Sequence, residues 1–272
     1  MNIKFSVLIS LYIKENPLFL QQALKSVFAQ TCLPTEIVLV LDGQITEALQ
    51  TVIDEYKNKY SDILKIIPLE KNVGLGNALN EGLKHCSHEL VVRMDTDDIC
   101  KPDRFEKQLA VFNQNPNFAV VGSWIDEFMD TPENIISTRK PPEKNADLIN
   151  YAKSRNPLNH PSVMFQKSMI QEVGGYQHFY LLEDYFLWAR LIAAKYELYN
   201  IQESLLLFRV SSKMIARRGG WKYAKSEIKL FKTFHKMGLI SYPVFLKNII
   251  IRIISRLIPN KIRKFLYKNF LR

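Results

Sequence analysis

Cysteine is scarce in this chain of 272 residues, and the three present, Cys32, Cys86 and Cys100, are far apart and form no CxxC pair. That argues against a disulfide framework or a zinc site and fits a reducing compartment. No GK[ST] tripeptide occurs, which excludes a P-loop. The stretch Asn72-Val73-Gly74-Leu75-Gly76-Asn77 resembles a dinucleotide fingerprint, but Leu79 stands where its third glycine belongs. The glycine pair then serves either as a tight turn into a helix or as a helix N-terminus facing a phosphate. A secretory apolar run is missing as well. The opening MNIKFSVLIS is followed at once by Lys14 and Glu15 and has no small-residue cleavage site, so it reads as a first strand.

Negative charge is nearly absent from the end of the chain. Residues 1–203 carry a net charge of −6, whereas residues 204–272 hold 17 Lys and Arg against Glu227 alone, a net +16. Such asymmetry points to an anionic surface as partner.

What is present describes a folded protein. With 47 % hydrophobic and 24 % charged residues, the chain can bury a full core as one large domain or a domain with an appendage. Phe5–Ser10, Glu36–Leu41, Leu64–Leu69, the run from Leu90 and Ala119–Gly122 read as strands. Between them Pro17–Gln30, Thr46–Tyr60, Leu75–Cys86 and Pro102–Asn113 read as helices. This rhythm predicts an α/β fold with a mostly parallel sheet and helices on both faces. Ligands in such sheets sit beyond the carboxyl ends of the strands, so Asp42 and Asp95 should share one crevice. After Glu127 the pattern turns irregular, punctuated by Pro132, Pro141, Pro142 and Pro157, as suits loops over a cleft.

The chemistry concentrates in Glu89–Arg104, ELVVRMDTDDICKPDR. An apolar run suited to a buried strand stops at Asp95-Thr96-Asp97-Asp98, and Pro102 opens the next helical pattern. A helix-capping turn accounts for Asp98 or Asp103 taken singly, but not for the cluster. Three carboxylates at the end of a buried strand repel one another, and a divalent cation relieves them. Hard oxygen ligands suit Mn²⁺ or Mg²⁺, completed by a substrate diphosphate. His160, in Asn159-His160-Pro161-Ser162, is either a structural histidine or a phosphate or acceptor contact. In LLEDYFLWAR, residues 181–190, Glu183 suits the positive end of a helix. Asp184, remote in sequence from the acidic cluster, is the separate carboxylate that general-base chemistry requires.

Taken in order, SVLISLY with Lys14, LVLDG, EKNVGLGNALNEGL, RMDTDD with KPDRFEKQ, NHPSVMF, VGGY and LLEDYFLWARL resemble the family 2 glycosyltransferases of the GT-A fold. The likeness is to bacterial enzymes that build lipid-linked repeat units of O-antigens and exopolysaccharides, and it spans about residues 3–210. It implies a catalytic domain over residues 1–210, with a nucleotide-binding half to about 125 and an acceptor-side half from about 126. Residues 211–272 would form a basic helical extension. By that resemblance Ser10, Tyr12 and Asp42 hold the uracil and ribose of a UDP-sugar, with Asn72 contributing. Asp95 contacts the nucleotide or its metal, Asp97 is the main ligand of Mn²⁺ or Mg²⁺, and Asp184 is the general base. Arg209, Arg217 and Arg218 reach phosphates of donor or acceptor, and His160 and Glu183 fall on the acceptor side. The family inverts the anomeric centre by a single displacement, which needs no covalent nucleophile. The chain accordingly shows no convincing Ser-His or Cys-His arrangement. Ile13 departs from the pattern, since many members have Asn after the Tyr.

The implied activity moves a hexose, with galactose favoured, from a UDP-sugar onto a polyprenyl-diphosphate-linked glycan. Two alternatives stand beside it. A non-catalytic sugar-nucleotide-binding or membrane scaffold is opposed by the intact Asp42, Asp95, Asp97 and Asp184. A nucleic-acid-binding protein is opposed by the lack of any recognised binding fold.

From Tyr242 onward there is no acidic residue. On a helical wheel Asn248, Arg252, Ser255 and Arg256 share one narrow face, opposite a broad one of Ile250, Ile253, Ile254 and Leu257. Pro259 breaks the segment, and a second helix is expected with Lys261, Lys264, Lys268 and Arg272 along one side. The apolar run is too short and too interrupted to span a bilayer. The tail therefore reads as interfacial helices on the anionic inner face of the cell membrane, making the protein cytoplasmic and peripheral. A terminal helix packed on the sheet competes for the first of the two.

Overall fold

The computed structural model describes residues 3–211, 214 and 217–257. Strands β1 (Phe5–Leu11), β2 (Glu36–Leu41), β3 (Leu64–Pro68) and β4 (Leu90–Met94) run parallel in the order β3-β2-β1-β4. Their successive residues enter two cores, Val7, Ile9, Ile37 and Leu39 on one face and Leu8, Val38 and Val40 on the other. Burial on both faces is why β1 and β2 read as continuous apolar runs, whereas β3, at the edge of the sheet, is largely half-buried or exposed. Helix α1 (Pro17–Phe28) begins where the Asn16 side chain accepts the Leu18 N–H at 2.9 Å, with proline in the first turn. The Thr46 hydroxyl caps α2 (Glu47–Lys59) in the same manner. These two helices and α4 (Arg104–Gln114) cover the first face, and α3 (Leu75–His85) covers the second.

Beyond β4 the sheet becomes mixed. The short β8 (Met164–Gln166) pairs antiparallel with β4 on one side and with β6 (Phe118–Phe128) on the other. Strand β9 (Glu197–Arg209) runs parallel along β6, and β5 (Ile99–Cys100) pairs antiparallel with β9 at Leu206 and Leu207. This last pairing delays α4. Lys101 bonds back to Leu205, so Pro102 lies in a turn and the helix starts at Arg104, two residues later than its sequence suggests.

The irregular middle of the chain is more ordered than its prolines imply. It contains β7 (Ile135–Arg139), antiparallel to the far half of β6, and α5 (Asn145–Ala152). The length of β9 was also not legible, because the buried Asn200 interrupts its apolar pattern. That side chain donates to the carbonyls of Pro142 and Pro157 at 2.9 and 3.0 Å and so fastens the proline-rich segment to the sheet.

After α6 (Lys167–Glu172), helix α7 (Glu183–Ala193) is buried on nearly every side. Leu187, Trp188 and Leu191 face the sheet, while Tyr185, Phe186 and Ala189 meet Tyr223, Phe231 and Phe234 of α8 (Gly220–Lys236). The last described helix is α9 (Tyr242–Leu257), and the second tail helix expected after Pro259 lies outside the described residues. All three cysteines are free thiols. No described helix is long and apolar enough to cross a membrane.

Candidate active site

Leu11 pairs with Leu41 and Ile9 with Met94, so β1, β2 and β4 end at one edge of the sheet. Asp42 and Asp95 leave the sheet there, from the two strands flanking β1. Half-buried Ser10 is the second-last residue of β1 at the same edge, and exposed Tyr12 follows the strand.

In the loop after β4, Asp95, Asp97 and Asp98 bring one carboxylate oxygen each to within 4.8 Å of one another. Asp98 is fully buried, and its Oδ2 has no hydrogen-bond partner among the described residues. Burial, the Asp95 charge and Glu15 together push the Asp97 carboxyl up to about 7. Burial and the neighbouring charges of Asp97 and Asp95 hold Asp98 well above the usual carboxylate range. This donor set fits a hard divalent cation: it is all oxygen, crowded with like charge, and contains an orphaned buried oxygen.

Three other side chains shape the loop. Buried Arg93, on β4, is paired with Asp95, which compensates part of the negative charge from below. Glu15 accepts the Thr96 hydroxyl at 2.5 Å. Arg209 ends β9 and lies between the rings of Phe19 and Phe128, 3.8 and 4.5 Å from their centroids. Its Nε donates to the Asp97 carbonyl at 2.9 Å and its Nη2 to Gln22 at 2.7 Å. These contacts make it a brace beneath the acidic loop.

On the nucleotide side, buried Asp42 accepts the Val73 N–H at 2.6 Å, the Gly74 N–H at 3.1 Å and the Asn72 side chain at 2.9 Å. Its carboxylate thus occupies the start of α3, and the glycine-containing turn there is held by an internal anion. Gly43, at φ +85°, passes so near that a Cβ would sit 2.7 Å from the Asn72 nitrogen.

On the opposite side, Leu181 adopts a left-handed conformation, φ 58°, in the turn that leads into α7. The first turn of that helix then presents Glu183 and Asp184. Half-buried Asp184 accepts the Asn156 side chain at 2.6 Å. Burial raises its pKa, opposed by the Tyr185 N–H, Asn156 and the charges of Arg218 and Arg139. Arg218 thus acts across from the extension onto Asp184, whereas Arg217 is exposed. Glu183 packs on Gly76 at the start of α3, its Cγ 3.5 Å from the position a Cβ would take, and burial raises its pKa too. His160 shares a 2.9 Å hydrogen bond between its Nε2 and the Tyr176 hydroxyl. Burial and Arg93 hold its pKa well below the ordinary value, so the ring is neutral and brings no charge to a phosphate. Tyr176 lies within electrostatic reach of both Asp184 and Asp95.

Arg93, Glu15, Arg139 and Asn156 were not singled out from sequence. Glu15, Arg139 and Asn156 each act on a group far along the chain, and Arg93, though it opens the RMDTDD stretch, reads there only as a break in an apolar run. Tyr176 stood in the VGGY motif, which was the one available signal for it.

Comparison with known proteins adds independent findings. A family model described as Glycosyl transferase family 2 matches residues 6–174. The chain is 44 % identical over 269 residues to UDP-Gal:alpha-D-GlcNAc-diphosphoundecaprenol beta-1,3-galactosyltransferase of Escherichia coli, covering 99 % of this chain and 97 % of that one. It is 41 % identical over 268 residues to the amylovoran biosynthesis glycosyltransferase AmsE of Erwinia amylovora, covering 97 % and 98 %. Among solved structures, mannosyltransferase PcManGT from Pyrobaculum calidifontis, in complex with GDP-Man and Mn²⁺, is similar in fold. The TM-score is 0.66 at 15 % identity, over 96 % of this chain and 71 % of that one.

Proposed function

The chain belongs to glycosyl transferase family 2, and from that premise we propose that it transfers galactose from UDP-galactose to a polyprenyl-diphosphate-linked glycan in surface polysaccharide assembly. The observation that carries the chemistry is the pairing of an oxygen-only acidic cluster, Asp95-Asp97-Asp98, with an isolated, desolvated carboxylate, Asp184. Donor and acceptor are taken from the name of the E. coli relative.

Asp97 and Asp95 would hold Mn²⁺ or Mg²⁺, which when bound supplies positive charge to the diphosphate of the donor. Ser10, Tyr12, Asp42 and Asn72 form the edge that receives uracil and ribose, with the buried Asp42 setting the shape of the Asn72 turn. Asp184 takes the proton of the acceptor hydroxyl as that oxygen bonds to the sugar C1. The bond from C1 to the diphosphate oxygen breaks, and UDP leaves with the electron pair. One displacement on an α-linked donor yields a β-linked product, in agreement with the linkage in the relative's name. Burial makes Asp184 a stronger base than a solvated carboxylate, and Asn156 orients it. Arg217 and Arg218 serve phosphates of donor or acceptor. The enzyme works as a peripheral protein on the inner face of the cell membrane, a reading supported by the +16 charge of residues 204–272.

The test is a transfer assay with Mn²⁺, a panel of UDP-sugars and a synthetic polyprenyl-diphosphate N-acetylglucosamine, following both UDP release and lipid product. Asp184→Asn should keep metal-dependent UDP binding and lose roughly 10²–10⁴-fold in turnover. Asp97→Ala should lose metal-dependent UDP binding itself. Wild-type turnover in the Asp184 variant would sink the base assignment. UDP binding without turnover on any donor would favour the scaffold alternative.

A further inference from the structure

We infer, on the reading that the acceptor is lipid-linked, that the outward face of α9, built by Leu246, Ile250, Ile251 and Ile254, is a lipid-contacting surface that seats the enzyme on an anionic membrane. The polar side of this helix is turned inward. Asn248 donates to the Lys153 carbonyl at 2.7 Å and Arg252 to the Ser154 carbonyl. Arg256 makes paired bonds to Glu227 at 2.8 and 2.9 Å. With Val244, Phe245 and Ile249 these residues dock α9 onto the domain. The apolar side faces out, with Leu246, Ile250, Ile251 and Ile254 being 41, 58, 49 and 58 % exposed. Tyr242, Leu246, Ile250 and Ile254 recur every fourth residue and so form one stripe. A helix on a water-facing surface has the reverse arrangement, and a contiguous exposed apolar stripe marks a surface that something covers.

Charge, position and length identify that cover as lipid. Glu227 is the sole acidic residue of 204–272, and it is buried against Arg256 with Arg252 at 3.5 Å. Every exposed charged side chain among the described residues of this region is therefore positive, and exposed Lys247 stands beside the stripe. This is the composition of an interfacial helix on anionic headgroups. In position, α9 is fastened to Lys153 and Ser154, two residues before Asn156, which holds Asp184. The stripe thus belongs to the acceptor side, where a polyprenyl chain must enter the membrane. In length, the 16 described residues of the helix are too few to cross a bilayer, which favours an orientation along its surface.

The experiment is flotation of the full-length protein with phosphatidylglycerol–phosphatidylcholine vesicles, beside phosphatidylcholine alone. It compares wild type with the Ile250→Glu/Ile254→Glu double variant. Both are also assayed for melting temperature, sedimentation, and transfer to a short-chain soluble and a long-chain vesicle-embedded acceptor. The expected result is wild-type binding to the anionic vesicles, weakened at least ~10-fold in the double variant. Its melting temperature and its transfer to the soluble acceptor should be unchanged, while transfer in vesicles falls. Equal vesicle binding by both proteins would overturn the assignment of this face and leave the membrane reading standing. No binding by wild type would overturn both. A lower melting temperature, or a dimer lost in the variant, with vesicle binding retained, would assign the stripe to a contact within the chain or with a second copy. Failure of wild type to use either acceptor while still binding vesicles would count against the galactosyl reading alone.

Discussion

The backbone N–H of Arg209 donates to the buried Oδ1 of Asp98 at 2.9 Å, tying the end of the last strand to the last aspartate of the acidic loop. The two residues lie on opposite halves of the chain, and the antiparallel pairing of β5 with β9, Ile99 against Leu207, brings them together. Through its side chain the same arginine holds the Asp97 carbonyl, so one residue sets the position of two of the three carboxylates.

Arg209→Ala should therefore weaken metal-dependent UDP binding by roughly 10–100-fold, the usual effect of removing a group that orients a metal ligand. Arg209→Lys should restore little, because an ammonium cannot lie flat between Phe19 and Phe128 while donating to two partners. Calorimetry with UDP, with and without Mn²⁺, reads both. An unchanged affinity in the alanine variant would mean the loop holds its shape unaided.

The hydrogen bond from Asn156 to Asp184 stabilises the charged carboxylate and so lowers its pKa against the effect of burial. Removing the donor in Asn156→Ala should raise that pKa further. The proton-accepting form of Asp184 exists above its pKa, so activity falls as pH drops through it. The acid limb of the kcat/KM profile should accordingly move to higher pH in the variant. A limb that stays in place would place the titrating group elsewhere.

At the other edge of the sheet, burial works against the charge of Glu36, but bonds from Lys65, Ser6 and Ser87 outweigh it and bring its pKa from 4.5 to about 2. A depressed pKa in the folded state contributes stability that is fully present above the ordinary value and is lost as pH falls toward 2. Glu36→Gln should cost about 1–3 kcal/mol at pH 7, as expected for bonds to a buried charged group. The gap between the two proteins should narrow between pH 4.5 and 2, measured by urea unfolding.

Gly43 combines a left-handed φ of 85° with a neighbouring backbone nitrogen 2.7 Å from where its Cβ would stand. Gly43→Ala should destabilise the fold by about 1–3 kcal/mol. It should also weaken UDP binding, because the atoms displaced belong to Lys71 and Asn72. Gly74 has the same φ but open space around it, so Gly74→Ala serves as the control for strain alone.

The inner parallel strands were legible because they are buried on both faces, and Glu36–Leu41 in particular carries no ambiguity of length. The acidic loop was legible because no packing role explains three adjacent carboxylates after a buried strand. The partners of those groups were not. Arg93 reads as an interruption of an apolar run, and only the fold shows it lying under Asp95. Asn156 reads as one more polar residue in a proline-rich stretch, and only the approach of α7 makes it the donor to Asp184.

What the sequence determined by itself was periodicity and chemical type: where chain is doubly buried, where like charges crowd, and that residues 242–257 form a helix with two unlike faces. Which face of that helix meets the protein was decided by the tertiary structure. A helical repeat specifies two sides without saying which is in. The carbonyls of Lys153 and Ser154 and the buried Glu227 offered partners to the polar side, and that choice left Ile250, Ile251 and Ile254 facing out.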